Sequence, residues 1–196
     1  MSIIKEFGEA VQEYSEPLKI RRRAHNEGVK LLAGFECLHQ YDEVFVHGVS
    51  ELRNAHGHFT IMLLEKHLRI EVTNQYRVRK EKKVEEYEPV VVFHLATDVG
   101  KVFIKEETIG EKISDVFLKV DIDFKEYPKF SRNYFVTAEN PRLVREHFPK
   151  ALLETLSVAK EMNIEINGTL GLLRPQKNFS LPVLKKLLHI GYRLTF

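Results

Sequence analysis

The sequence predicts an α+β fold: N-terminal helices, an antiparallel β meander, and a C-terminal helix, hairpin and helix packed on the sheet. Three observations carry this expectation. Apolar residues recur at helical spacing at the start of the chain, the spacing changes to two across residues 35–97, and helical spacing with a hairpin signal returns after Asn140. One domain is expected over residues 1–196, with a helical segment at 1–34, an antiparallel sheet at 35–105 and a mixed helix and strand region at 106–196.

In the first segment Ile3, Ile4, Phe7, Ala10, Val11 and Tyr14 form an apolar stripe between Lys5, Glu6, Glu9 and Glu13, which makes an amphipathic helix. Such a stripe must be buried, and the expected site is the chain's own domain, with a partner or a membrane surface as the alternatives. The acidic polar face argues against anionic lipid. Ser15 followed by Pro17 reads as the cap and first turn of a second helix reaching Ala33, with Gly34 as its left-handed stop. Within that helix Arg21, Arg22 and Arg23 would spread over roughly 200 degrees of the circumference. They make a solvated face with partners such as Glu16 and Glu27 rather than a phosphate-binding stripe.

Alternation of period two then marks strands at Val44 and Val46, at Phe59, Ile61 and Leu63, and at Leu68, Ile70 and Val72. Val90, Val91, Val92 and Phe93 form a continuous apolar run, the mark of a central strand covered on both faces. Residues 76–88, YRVRKEKKVEEYE, carry no core pattern and are expected to form a long exposed hairpin or loop. Their mixed charges suit a solvated surface better than an anionic partner. A short strand follows at residues 99–105. Ile109, Ile113, Val116 and Phe117 then fit a helix with Thr108 and Glu111 as a capping box.

Asn140 and Pro141 open the next helix, Pro149 breaks it, and Leu152, Leu153, Leu156 and Ala159 continue the core on another. Asn167-Gly168, flanked by Ile164, Ile166, Leu170 and Leu172, is the strongest hairpin signal in the chain. Ser180 caps a last helix carrying Val183, Leu184, Leu187 and Leu188.

The stretch at residues 120–136, VDIDFKEYPKFSRNYFV, reads as the joint between the two halves. Asp121 and Asp123 share one face of an extended segment while Ile122 and Phe124 share the other. Pro128 removes a donor and turns the chain, and Phe130, Tyr134, Phe135 and Val136 supply core area. Together with the helix opening at Asn140, this acidic and aromatic run resembles a bacterial family of uncharacterised proteins over about residues 90–196. The resemblance implies no activity and no catalytic residues. Many members of that family are membrane-anchored, so it implies a membrane location that this chain's own residues do not repeat.

Composition bounds the remaining possibilities. An apolar share of 43% and a charged share of 30% are those of a globular domain. At 196 residues it can bury on the order of 70% of its unfolded surface. A net charge of +2 does not point to nucleic acid. Cys37 is the single cysteine, which excludes an intrachain disulfide and a four-cysteine zinc site and fits a reducing compartment. Residues 1–15 lack the apolar core of a signal peptide, and no run approaches the ~18 apolar residues of a membrane span, so a cytoplasmic location is expected.

Candidate chemistry is sparse. Among nine histidines, His56 and His58 are the closest pair, and with Asp121 and Asp123 they are the residues from which a metal site would be built; Gly57 between them favours a solvated turn. Cys37 with His39 or His47 lacks the electropositive setting of a reactive thiol, and neither Ser50 nor Ser131 lies in a nucleophile elbow. Paired-carboxylate chemistry at Asp121 and Asp123 competes with simple pairing to Lys125, Lys129 or Arg132. No glycine-rich phosphate cradle is present.

The expectation is therefore a non-catalytic, partner-binding or self-associating module with no cofactor and no assigned catalytic, cofactor-binding or metal residue. The alternatives are an enzyme using its histidines and the Asp121/Asp123 edge, and a soluble component attached to a membrane-bound partner.

Overall fold

A computed structural model describes residues 2–15, 18–73, 79–106 and 121–194. In chain order these form α1 (Ile3–Tyr14), β1 (Lys19–Arg22), α2 (His25–Leu32), a single 3-10 turn (Glu36–Leu38), β2 (Glu43–Arg53), β3 (His58–Thr73), β4 (Arg79–His94) and β5 (Lys101–Glu106). Then come α3 (Pro128–Asn133), β6 (Tyr134–Ala138), α4 (Pro141–His147), α5 (Lys150–Val158), β7 (Met162–Asn167), β8 (Leu170–Pro175) and α6 (Leu181–Arg193). All the strands pair antiparallel in one sheet of order β1-β2-β3-β4-β8-β7-β5-β6. The expected α+β layout is what forms.

The sheet divides the apolar residues into two layers by simple alternation. On one face Phe59, Ile61, Leu63, Val91, Phe93, Val102, Ile104, Ile164 and Leu173 meet the stripes of α1, α5 and α6. On the other face Met62, Leu64, Val90, Val92 and Leu172 meet Leu32 of α2 and Phe35 and Leu38 of the 3-10 turn. The Val90–Phe93 run is thus central and covered on both faces, as its lack of alternation predicts. Gly28 lets α2 lie directly on β2, since a Cβ there would stand 2.7 Å from a Val49 methyl.

Several expected elements hold in detail. Phe7, Ala10 and Val11 bury α1 against the chain's own body, with Ser2 capping the helix. Asn140 Oδ1 accepts from Leu143 N at 3.2 Å at the start of α4, and Ser180 Oγ accepts from Val183 N at 3.5 Å at the start of α6. Asn167 pairs with Leu170 across a turn in which Gly168 has φ +66°, the left-handed geometry that the Asn-Gly signal anticipates.

Others are corrected. No second helix runs from Ser15 to Ala33. Ser15 is the buried end of α1, Pro17 lies outside the described residues, and Lys19–Arg22 is an edge strand ahead of the shorter α2. Strand pairing to β2 outweighs helix propensity for this piece. Arg21 and Arg22 are exposed on that edge, while Arg23 is ion-paired with Glu27 and Glu51. Of the long exposed hairpin or loop expected at residues 76–88, the hairpin is what forms over 79–88, which continue β4 and pair with β3 as far as Thr73↔Arg79. The first strand does not begin at Phe35, because residues 36–38 turn instead and pairing starts at Glu43. Pro128 opens α3 rather than only ending an extended piece, since proline fits a first helical turn. The expected helix at residues 109–117, with Thr108 and Glu111, lies outside the described residues.

Candidate functional site

The residues that end up buried despite their charge are the ones sequence reading passes over. On the α2 face Lys66 of β3, Glu88 of β4, Glu165 of β7 and Arg174 of β8 point to one side, because alternation places them on the same surface as Leu64, Val90 and Leu172. Lys66 and Glu88 each keep 4% of their side-chain surface exposed, and Arg174 keeps 13%. Charges this buried are sustained only by pairing.

The pairing is close to complete. Arg174 donates from Nε to Glu88 Oε1 at 3.1 Å and from Nη2 to Glu88 Oε2 at 3.0 Å, while Lys66 Nζ stands 2.8 Å from Glu88 Oε2. Lys66 also donates to Tyr41 Oη at 3.0 Å and lies 3.3 Å from the half-buried Glu86 carboxylate. Burial alone would lower the pKa of both cations, but Glu88 holds each of them above its ordinary value. The rest of the guanidinium is less well served: Nη1 reaches Cys37 O and Nη2 reaches Tyr41 Oη only at 3.4 Å. Arg174 lines two adjoining cavities, of about 400 and 450 Å³, the larger with Lys105 and Lys177 on its wall.

Glu165 fixes the 3-10 turn over this cluster. Its two oxygens accept from Glu36 N at 2.6 Å and from Cys37 N at 2.8 Å, so one carboxylate caps both leading amides. Cys37 therefore sits on that turn rather than on a first strand. Burial pushes its thiol up to about 12 despite the neighbouring Arg174. It is a protonated thiol and not an activated nucleophile.

The residues singled out from sequence do not assemble. His56 is exposed in the β2–β3 turn, where its amide donates to Asn54 Oδ1 at 2.8 Å, and the His58 ring packs on His94 at 5.3 Å. Asp121 accepts from Val136 N at 2.9 Å and closes the outer edge of β6, beside Ile122 N donating to Val136 O at 2.9 Å. Asp123 is exposed. β3 and β6 stand five places apart in the sheet order, about 24 Å at ~4.8 Å per strand. The histidine pair and the aspartate pair are therefore separate, and the enzyme reading that joins them is not supported by their positions. Ser131 Oγ is spent on Phe124, whose amide donates to it at 2.9 Å.

A second polar group lies on the opposite face, on the β2–β3–β4 ribbon. Glu65 Oε2 is 2.9 Å from His47 Nε2, and Glu65 Oε1 is 2.8 Å from His67 Nε2. His67 Nδ1 is 3.1 Å from Glu43 Oε2. The β-bulge between His47 and Ser50, where Gly48 takes φ +57°, sets the local register of β2. Of the residues in this group the sequence singles out His47 alone, and as a partner for Cys37. The signal that finds the group is alternation on three paired strands, which requires the register.

No family model matches this chain, and no curated protein matches it in sequence, in keeping with resemblance to a family without an assigned activity. Among solved structures, the crystal structure of the mycobacterial trehalose monomycolate transport factor A is similar at a TM-score of 0.49, with 10% identity over 97% of each chain. Nothing about function follows from a likeness of that size. Among the described residues, no helix is long and apolar enough to cross a membrane.

Proposed function

We propose that the chain is a non-catalytic binding module that takes an anionic group of its ligand against Arg174. The observation that carries this reading is the uneven service of the guanidinium: two donors are held by Glu88, while the contacts to Cys37 O and Tyr41 Oη are 3.4 Å long, between two cavities. A planar guanidinium with under-used donors favours a carboxylate or phosphate over an apolar group. The protonated Cys37 thiol beside it supports binding rather than nucleophilic chemistry.

Calorimetric titration with succinate and with inorganic phosphate tests the reading. Binding of either, weakened about tenfold or more in a folded Arg174→Lys variant, supports it. No binding of either anion up to about 10 mM, or equal binding in wild type and variant, removes it.

A further inference from the structure

The polar group on the ribbon carries an inference of its own. Glu65 and His67 occupy the same face of β3, and His67 is paired in register with Glu85 of β4. One ligand atom from each of Glu65, His67 and Glu85 lies within 4.8 Å of the others. His47 of β2 is already 2.9 Å from the Glu65 carboxylate. From this geometry we propose that Glu65, His67 and Glu85, completed by His47, form a site for a divalent transition ion of the zinc class.

The donor set suits that ion. Imidazole nitrogens and carboxylate oxygens are its usual ligands at about 2.0–2.2 Å, which sets neighbouring ligand atoms roughly 3.3 Å apart. The 2.8 Å and 2.9 Å separations from Glu65 to the two imidazoles are close to this, and Glu85 is an exposed, long side chain able to swing inward.

Two further features hold the His67 ring in place. The His67 imidazole uses Nδ1 toward Glu43, the outer carboxylate that orients a ligating ring, and turns Nε2 to Glu65. The Phe45 ring, 5.2 Å away, packs against the same imidazole. Across the ribbon Tyr87 Oη donates to Glu85 Oε1 and gives that carboxylate an outer partner as well. Glu43, Glu65 and Glu85 gather three carboxylates at this spot, with Lys83 Nζ 3.6 Å from Glu43, a setting that attracts a dication.

Zinc titration of the metal-free chain at neutral pH, with a competing chelator, tests the proposal, and cobalt absorption reports the geometry. One equivalent bound at about micromolar affinity or tighter is expected. Glu85→Gln, an exposed position, should weaken binding at least tenfold. Glu43→Gln, acting through His67, should weaken it about tenfold with one equivalent still bound. A double variant, His58→Asn with His94→Asn, should leave the affinity unchanged. No zinc bound at about 100 μM, or binding abolished in the His58/His94 variant and untouched in Glu85→Gln, would overturn the proposal.

Discussion

Arg174 and Glu88 meet edge to edge, with Nε on Oε1 at 3.1 Å and Nη2 on Oε2 at 3.0 Å, and the pair joins β8 to β4 at the middle of the sheet. Lys66 shares the same carboxylate from β3. Removing the shared partner leaves two buried cations without it. Glu88→Gln should therefore cost about 3–5 kcal/mol in urea denaturation. Replacing Lys66, Glu88 and Arg174 together by apolar residues of similar volume should cost clearly less, because no buried charge is then stranded.

Cys37 gives a chemical readout of the same region. With its thiol pushed up to about 12, chiefly by burial, almost none of it is thiolate at neutral pH. Alkylation by iodoacetamide at about pH 8 should be at least roughly a hundredfold slower than for a small free thiol, and denaturant should restore the ordinary rate. A native rate equal to that of the free thiol would contradict the burial that the structure assigns.

The ribbon cluster has a pH signature. Glu43, and then Glu65, hold His67 above its ordinary value of 6.5, so the stabilisation from its charged form is complete below that value and is lost as pH rises through the higher folded one. Glu43 is held low by His67 and Lys83. Burial would raise Glu65, but its bonds to His67 and His47 outweigh that. Their contribution is present above the ordinary carboxylate value and fades as pH falls. With chelator present, the stability difference between wild type and His67→Gln should be greatest between those limits and should shrink on the alkaline side. A difference that grows steadily with pH would contradict the assigned pairing.

Packing at the β4–β8 seam makes a steric prediction. A Cβ on Gly171 would stand 2.2 Å from Phe93 Cζ, and Phe93 is fully buried. Gly171→Ala should destabilise the fold by about 1–3 kcal/mol, read as a lowered Tm in calorimetry.

Much of the fold is legible in the sequence because its signals are local. The cap at Asn140, the turn at Gly168 and the unbroken Val90–Phe93 run each depend on neighbouring residues, and each forms where the sequence predicts it. The piece at Lys19–Arg22 departs from its local signal because its state is fixed by β2, some thirty residues later in the chain, and not by its own propensity. The polar clusters were illegible for the same reason. Lys66, Glu88 and Arg174 are ordinary surface residues until strand order and register put them side by side beneath the 3-10 turn. Asp121 and Asp123 were conspicuous as a pair, yet the first serves a neighbouring amide and the second faces outward.

The position of the β7–β8 hairpin between β4 and β5 governs how the protein can be made. Among the described residues the earlier β1–β4 block and the β5–β6 pair share no strand pairing, so during synthesis each presents a bare edge until the last two strands leave the ribosome. Joining strands so far apart in the chain is slow, and a nascent chain halted before that hairpin would be prone to aggregate through those edges.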